Sequence, residues 1–84
     1  MTRVVIADDH KLVRNALRAE IARETDMQTV GECMTGDEVL GLVAETNADV
    51  LLLDLSMPGI SALNVMRQLA VAHPDTRVLI TTAS

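Results

Sequence analysis

Apolar and polar positions along the chain follow two alternating patterns. Short apolar runs, rich in β-branched residues, are typical of buried strands. The segments between them repeat apolar residues at helical spacing, with polar residues on the remaining sides. Gly, Pro, Ser and Thr fall mostly at the junctions, where turns and helix caps are expected. The pattern predicts strands at residues 3–9, 27–34, 48–55 and 76–82, and helices at 11–24, 35–46 and 61–72.

The predicted order of elements, βαβαβαβ, is typical of the α/β class. Parallel strands joined by right-handed helical crossovers form a doubly wound sheet that helices cover on both faces. The run at 48–55 is expected to be buried, and so are Val78, Leu79 and Ile80 of the last strand. With 84 residues, the chain is expected to form one small domain. The first helix is expected to pack on the sheet through five apolar side chains: Leu12, Val13, Ala16, Leu17 and Ile21.

Composition narrows the classes of function. The chain has no Phe, Tyr or Trp to stack on bases, and its net charge of −5 suits neither DNA nor an anionic membrane surface. The single cysteine, Cys33, rules out an internal disulfide and fits a reducing cytoplasm, so we interpret it as a small core residue. The sequence opens directly on a predicted strand, and no apolar run approaches the ~20 residues of a membrane span. We therefore expect a cytoplasmic location, without a signal peptide or membrane segment.

Polar side chains gather where the predicted strands end. Asp8 and Asp9 close the first strand, Asp54 closes the third, and Thr82 closes the fourth. The carboxyl ends of parallel strands share one edge of the sheet, which is where ligands bind in such folds. If the first and third strands are neighbours, the three carboxylates repel one another unless a cation lies among them. Carboxylate and backbone oxygens select a hard ion, and Mg²⁺ is the ion that we expect.

The same placement predicts a chemistry for Asp54. We expect its carboxylate to be exposed above apolar walls, where beside Mg²⁺ it can attack phosphorus and form an aspartyl phosphate. The Thr82 hydroxyl would then bond to the new phosphoryl group. Plainer interpretations stay open: Asp8 or Asp9 can cap the first helix, and Asp54 can form a turn. Thr82 has a side chain that any strand accommodates. His10 can be a metal ligand, but Mg²⁺ does not favour imidazole, so we interpret it as a loop or helix-start residue.

Three segments of the chain, IADDH, LLLDLSMPG and VLITTAS, resemble the receiver domain of two-component response regulators. The longer segments ADDHKLVRNAL and LDLSMPGISAL are most similar to the receivers of LuxR/NarL-type transcription factors. The resemblance extends along the whole chain in order and spacing. It implies a flavodoxin-like, doubly wound parallel sheet with strand order 2-1-3-4-5. It also implies that the protein is a phosphoacceptor switch rather than an enzyme. Such a switch catalyses only its own phosphorylation.

The resemblance implies a role for each residue of the predicted site. Asp54 would accept a phosphoryl group from a sensor histidine kinase and would also be a ligand of Mg²⁺. Asp9 would bind Mg²⁺ directly, and Asp8 would bind it through a water molecule. The backbone carbonyl of Ser56 would be a further Mg²⁺ ligand. Thr82 would be the switch hydroxyl that moves towards the phosphoryl group.

The resemblance also implies parts of the domain that this sequence lacks. Receivers continue with a fourth helix, a fifth strand and a fifth helix, so we expect residues 1–84 to be the N-terminal part of a receiver domain. The fifth strand carries a Lys that pairs with the phosphoryl group, whereas the one Lys here, Lys11, lies at the first helix. No DNA-binding domain is expected in this chain, and DNA would be bound only through a missing C-terminal domain. An exposed, apolar fourth strand and an uncovered first-helix face predict self-association, as a homodimer or a swapped form.

Two alternative functions compete with phosphoacceptance. The first is a truncated receiver fragment that acts only as a dimerisation or interaction module, without phosphorylation. The second is a Mg²⁺-dependent phosphatase that forms an aspartyl phosphate. That class typically carries a second acid two residues after the nucleophile, and Ser56 occupies this position here. The sequence therefore disfavours the phosphatase.

Overall fold

The structure, a computed structural model, describes residues 1–81; Thr82, Ala83 and Ser84 lie outside the described residues. The predicted order βαβαβαβ is confirmed. The expected switch hydroxyl of Thr82 falls outside the described part of the chain. The strands are β1 Thr2–Ala7, β2 Met27–Cys33, β3 Val50–Asp54 and β4 Arg77–Thr81, and the helices are α1 Lys11–Ala22, α2 Gly36–Thr46 and α3 Ala62–Ala72.

The four described strands form one parallel sheet in the order β2-β1-β3-β4. This order agrees with the flavodoxin-like arrangement that the resemblance implies. Ala7, the last residue of β1, pairs with Cys33 of β2 and with Leu53 of β3. The carboxyl ends of the three strands are therefore level, which brings the residues that follow β1 beside the end of β3.

Helices cover both faces of the sheet, as a doubly wound fold requires. The larger apolar cluster joins one face to α2 and α3 and includes Val39, Val43, Val65 and Leu69 from these helices. The smaller cluster joins the other face to α1 through Ile21 and the partly buried Leu17. Alternate residues of each strand supply the two clusters, because successive side chains of a strand point to opposite faces.

Cys33 lies in the larger cluster and is only 3% exposed, which confirms it as a core residue. Burial, aided by the charge of Glu38, raises the pKa of the Cys33 thiol to about 11. Both effects disfavour the thiolate, because neither apolar surroundings nor a nearby carboxylate stabilises a second negative charge. The thiol is therefore inert at neutral pH.

The predicted apolar stripe of α1 is partly wrong. Ile21 is buried, and Val13 and Leu17 are half-buried. Leu12 is 83% exposed and Ala16 is also exposed. The buried positions are spaced by four residues and face β1 and β2, the strands on which α1 mainly packs. Leu12 and Ala16 lie about 100° further round the helix, beyond the reach of that contact.

The prediction that β4 is buried is also wrong for two of its residues. Leu79 is 56% exposed and Ile80 is 39% exposed, while Val78 packs against the larger cluster. β4 pairs with β3 on one side and is an edge of the sheet within residues 1–81. The exposed edge that the sequence analysis expected is therefore present in the described chain.

Local hydrogen bonds set the ends of the helices. The hydroxyl of Ser61, before α3, accepts a hydrogen bond from the Asn64 backbone N–H at 3.3 Å, as an N-cap does. α1 ends at Ala22, where the backbone N–H of Arg23 donates to the Glu20 carbonyl and tightens the last turn.

None of the helices within residues 1–81 has the length and apolar character that crossing a membrane requires.

Candidate functional site

The predicted convergence of acids at the carboxyl ends of β1 and β3 is confirmed. Asp8 and Asp9 follow β1 directly, and Asp54 is the last residue of the neighbouring β3. One ligand atom from each of Asp8, Asp9, His10 and Asp54 lies within 4.8 Å of the others. We call these four residues the acidic cluster.

Asp8 is buried, with 1% of its surface exposed, and its contacts hold it firmly. Its Oδ1 accepts a hydrogen bond from the His10 backbone N–H at 2.8 Å, so Asp8 closes a tight turn rather than capping α1. Its own N–H donates to the Cys33 carbonyl at 3.0 Å. Its Oδ2 is buried and has no hydrogen-bond partner among residues 1–81.

An unpartnered carboxylate oxygen in a buried site fits a bound cation. A buried polar atom without a partner lowers the stability of the fold. An ionised carboxylate oxygen can be satisfied only by a hydrogen-bond donor or by a cation. Three carboxylates close together repel one another unless a cation offsets their charge. Oxygen ligands of this kind suit a hard divalent ion such as Mg²⁺. The residues present therefore fit a divalent cation at the acidic cluster.

Asp54 is not open to solvent as the sequence analysis expected, since only 2% of its surface is exposed. The backbone N–H and the hydroxyl of Ser56 both lie 3.1 Å from Asp54 Oδ1, and the hydroxyl lies 3.2 Å from Oδ2. These bonds are the turn that was the plainer interpretation of Asp54. Asp54 therefore forms the turn and also belongs to the acidic cluster, so these two interpretations are compatible. Ser56 itself is exposed, so its hydroxyl can move off the carboxylate.

His10 lies in the acidic cluster, although its sequence position was interpreted as a loop or helix start. It occupies the N-cap position of α1, as expected of a helix-start residue, but makes no side-chain cap bond. Its Nδ1 instead lies 3.1 Å from an oxygen of Asp8, 3.1 Å from one of Asp9, and 3.9 Å from one of Asp54. The hydrogen bond to Asp8, then the charge of Asp9, raise the pKa of His10. Its place directly after two acids at a strand end was the signal for this contact.

Arg14 is a residue that the sequence analysis did not single out. Arg14 lies on α1, and its side chain is only 14% exposed. Its Nη1 donates to the backbone carbonyl of Asp8 at 2.9 Å, and its Nε lies 3.4 Å from Glu32 Oε1. Arg18, one turn further along α1, contacts the other oxygen of Glu32 at 2.5 Å. The backbone of the acidic cluster is thus linked to both α1 and β2.

The loop that follows Asp54 is fastened to the start of α2. The backbone N–H of Gly36 donates to the Pro58 carbonyl at 3.1 Å. A side chain on Gly36 would overlap the backbone carbonyl of Ile60, so glycine permits this close approach. Gly59, in the same loop, has φ 90°, a conformation that favours glycine. Two glycines therefore set the path of the chain between the acidic cluster and α3.

Residues 4–84 match the sequence model of the family described as the response regulator receiver domain. The uncharacterized transcriptional regulatory protein YhcZ of Bacillus subtilis is 40% identical over 81 residues, which cover 96% of this chain and 38% of YhcZ. The response regulator GacA of Pseudomonas aeruginosa is 38% identical over 82 residues, or 98% of this chain and 38% of GacA.

A solved structure of a receiver domain is also similar to this chain. The crystal structure of the non-phosphorylated receiver domain of the stress response regulator RcsB from Escherichia coli superimposes with a TM-score of 0.90 at 26% identity. The alignment covers 99% of this chain and 66% of that chain, while this chain spans about 38% of the length of the two curated relatives. The chain therefore belongs to the family of response regulator receiver domains, and its relatives are transcription-regulating response regulators of the LuxR/NarL type.

Proposed function

We propose that Asp54 accepts a phosphoryl group in a reaction that needs a divalent cation at the acidic cluster. The observation that carries the proposal is the environment of Asp8. Its Oδ2 is buried without a partner among the described residues, and one carboxylate oxygen from each of Asp8, Asp9 and Asp54 lies within 4.8 Å of the others. A cation at this edge of the sheet would lie against Asp54, which the family resemblance identifies as the phosphoacceptor.

The proposed reaction transfers a phosphoryl group from a histidine nitrogen to a carboxylate oxygen. A carboxylate oxygen of Asp54 attacks the phosphorus atom of a phosphohistidine on a sensor histidine kinase. The phosphorus–nitrogen bond breaks, and its electron pair leaves with the imidazole, which takes up a proton. The product is an acyl phosphate on Asp54. Asp54 attacks as the carboxylate, and the Ser56 hydroxyl and backbone N–H each lie 3.1 Å from its Oδ1.

We propose Mg²⁺ as the cation, because every ligand that the resemblance implies offers oxygen. Asp9 and Asp54 would bind it directly, Asp8 through a water molecule, and Ser56 through its backbone carbonyl. Such an ion offsets the negative charge of the phosphoryl oxygens. The switch role of Thr82 rests on the resemblance alone, since Thr82 lies outside the described residues.

We propose a wider context from the relatives. Residues 1–84 would be the N-terminal part of a receiver domain in a cytoplasmic transcription factor, which binds DNA through a C-terminal domain. The names of YhcZ and GacA, a transcriptional regulatory protein and a response regulator, support this proposal. The lengths support it too, because this chain spans 38% of each relative.

Phosphorylation by a small donor tests the central proposal. The chain is incubated with acetyl phosphate, with and without Mg²⁺, and its intact mass is measured. We expect the mass of one added phosphoryl group, dependent on Mg²⁺ and absent from Asp54→Asn. Asp75→Asn, which changes an exposed acid far along the chain, should be modified like the unaltered chain. A folded chain that gains no phosphoryl group with Mg²⁺ present would exclude Asp54 as a phosphoacceptor in this chain.

A second candidate function, self-association without phosphorylation, is favoured by the exposed apolar surface of β4 and α1. Leu79 and Ile80 are exposed on an edge strand, and Leu12 is 83% exposed on α1. An unpaired apolar edge is a template for pairing with a strand of another chain. Sedimentation at increasing concentration tests this candidate: we expect a homodimer or larger species to accumulate. A chain that stays monomeric at high concentration would exclude it.

A further inference from the structure

We infer that Arg14 is a positioning residue of the acidic cluster, which holds the backbone of Asp8 in the place that cation binding needs. The inference rests on the proposed function and goes beyond it, because Arg14 is outside the acidic cluster and offers no ligand atom. It identifies a residue on α1 as a determinant of cation affinity.

The contacts of Arg14 join three elements at one point. The guanidinium Nη1 donates to the Asp8 carbonyl at 2.9 Å, directly after β1 ends. Its Nε faces Glu32 Oε1 of β2 at 3.4 Å. Glu32 precedes Cys33, and the Cys33 carbonyl accepts the N–H of Asp8 at 3.0 Å. The backbone of Asp8 is therefore held at its N–H by β2 and at its carbonyl by an arginine that β2 also orients.

This arrangement bears on the carboxylate of Asp8. The Asp8 carboxylate is buried, its Oδ1 accepts a hydrogen bond from the His10 backbone N–H at 2.8 Å, and its Oδ2 has no partner within the described chain. A shift of the Asp8 backbone therefore either moves the carboxylate or breaks its bond to His10. Mg²⁺ demands nearly ideal octahedral geometry, so small displacements of a ligand group reduce its affinity. Groups that orient the ligands of a metal typically contribute about 10–100-fold to metal affinity.

Positioning and charge predict opposite effects when Arg14 is removed. A guanidinium beside a cation site repels the cation, so removing its charge alone would strengthen cation binding. Removing a contact that holds Asp8 would weaken it. The sign of the change in affinity therefore separates the two explanations.

The experiment compares Mg²⁺ dissociation constants, measured from saturable amide shifts in ¹⁵N-correlation spectra of the 84-residue chain. We expect Arg14→Met to weaken Mg²⁺ binding by about tenfold or more. Arg18→Met is the matched control, because Arg18 lies on the same helix and contacts the same Glu32 but not Asp8. Arg18→Met should leave the dissociation constant within about twofold or lower it slightly. Unchanged or tighter binding by Arg14→Met would overturn the inference.

Arg14→Lys provides a second test that keeps the charge. A lysine lacks the fork that reaches Asp8 and Glu32 together. We expect weaker Mg²⁺ binding and faster hydrogen exchange of the Asp8 amide, whereas a role through charge alone predicts no change in either. This variant decides the matter if Arg14→Met does not fold. The unaltered chain is measured first: if its Asp8, Asp9 and Asp54 amides show no saturable shift, the proposed function fails, whatever the variants do.

Discussion

The two faces of the sheet are covered to different extents. α2 and α3 pack on one face, where they complete a cluster that contains ten buried residues. Within residues 1–81, α1 is the one helix on the other face, and the cluster there contains three buried residues, Val4, Ile6 and Ile21. Val50 and Leu52 of β3 are only partly buried on this second face, and Leu79, which pairs with Leu52, is mostly exposed.

The two faces are therefore expected to have different roles, one in the stability of the fold and the other in contact with another surface. Burial of apolar surface drives folding, so the α2/α3 face supplies most of the stability of the described chain. The α1 face leaves apolar side chains of β3 and β4 available to another surface. The acidic cluster depends on both faces, because Gly36 of α2 fastens the loop after Asp54 and Arg14 of α1 holds Asp8.

The largest expected effect compares two neighbouring leucines of β3 that point to opposite faces. Leu51 is fully buried against α2 and α3, whereas Leu52 is half-buried on the α1 face. We expect Leu51→Ala to lower the free energy of unfolding by about 3 kcal/mol and Leu52→Ala by about 1 kcal/mol. Urea unfolding followed by circular dichroism measures both. Equal losses would mean that the two faces contribute alike.

A pair of glycines in α2 sharpens the comparison. Gly36→Ala would place a methyl group against the Ile60 backbone carbonyl, which cannot rotate away as a side chain can. We therefore expect the free energy of unfolding to fall by about 2 kcal/mol. Apart from its chain neighbours and the backbone of its own helix, no atom of residues 1–81 lies within 4 Å of the position that a Cβ on Gly41 would occupy. Gly41→Ala should therefore raise stability by up to about 1 kcal/mol through helix propensity. Thermal unfolding of both variants should shift in opposite directions, and a shared sign would contradict the assigned contact.

The Cys33 thiol reports on the α2/α3 face through its pKa. Because the pKa is raised to about 11, we expect very slow reaction with a thiol reagent at pH 8 until the chain unfolds. The contribution of the raised pKa to stability is fully present below the unfolded pKa of about 9.0, and it is lost as pH rises towards 11. Cys33→Ala should remove that part of the pH dependence. Fast reaction in the folded chain would show that this core opens.

The smallest effect on stability is expected at the exposed edge. Leu79→Lys should change the free energy of unfolding by less than about 0.5 kcal/mol, because the side chain is mostly exposed. It should weaken self-association, since charge on an edge strand opposes pairing with another chain. Val71→Lys is the control, because Val71 is 86% exposed on α3, which packs on the opposite face of the sheet from Leu79. If both variants weaken association equally, the contact is not made through β4.

The sequence predicted the order of elements, the parallel sheet and the meeting of Asp8, Asp9 and Asp54, because periodicity and strand ends carry that information. It overestimated the burial of Leu79 and Ile80, because an apolar run does not tell whether a neighbouring strand covers it. The exposure of Leu12 has the same cause, since helical spacing does not fix which neighbours a helix has.

Finer features of the acidic cluster depend on tertiary contacts. Asp54 is buried, while Ser56 Oγ and N lie near its Oδ1 and His10 Nδ1 lies 3.9 Å from its Oδ2. The strand end and the order of residues indicate that these groups meet, but they do not indicate how much of the carboxylate stays exposed. The contact between Arg14 and the Asp8 carbonyl joins residues six positions apart across a turn, and an arginine on a helix usually faces solvent.

The most direct test of the account is a Mg²⁺ titration of the unaltered chain, followed by ¹⁵N-correlation spectra. We predict dispersed peaks, with saturable shifts concentrated at Asp8, Asp9, Asp54 and Ser56, and the loss of those shifts in Asp9→Asn. Dispersed peaks that Mg²⁺ leaves in place, or that drift everywhere without saturation, would contradict the claim that the carboxyl ends of β1 and β3 form a cation site.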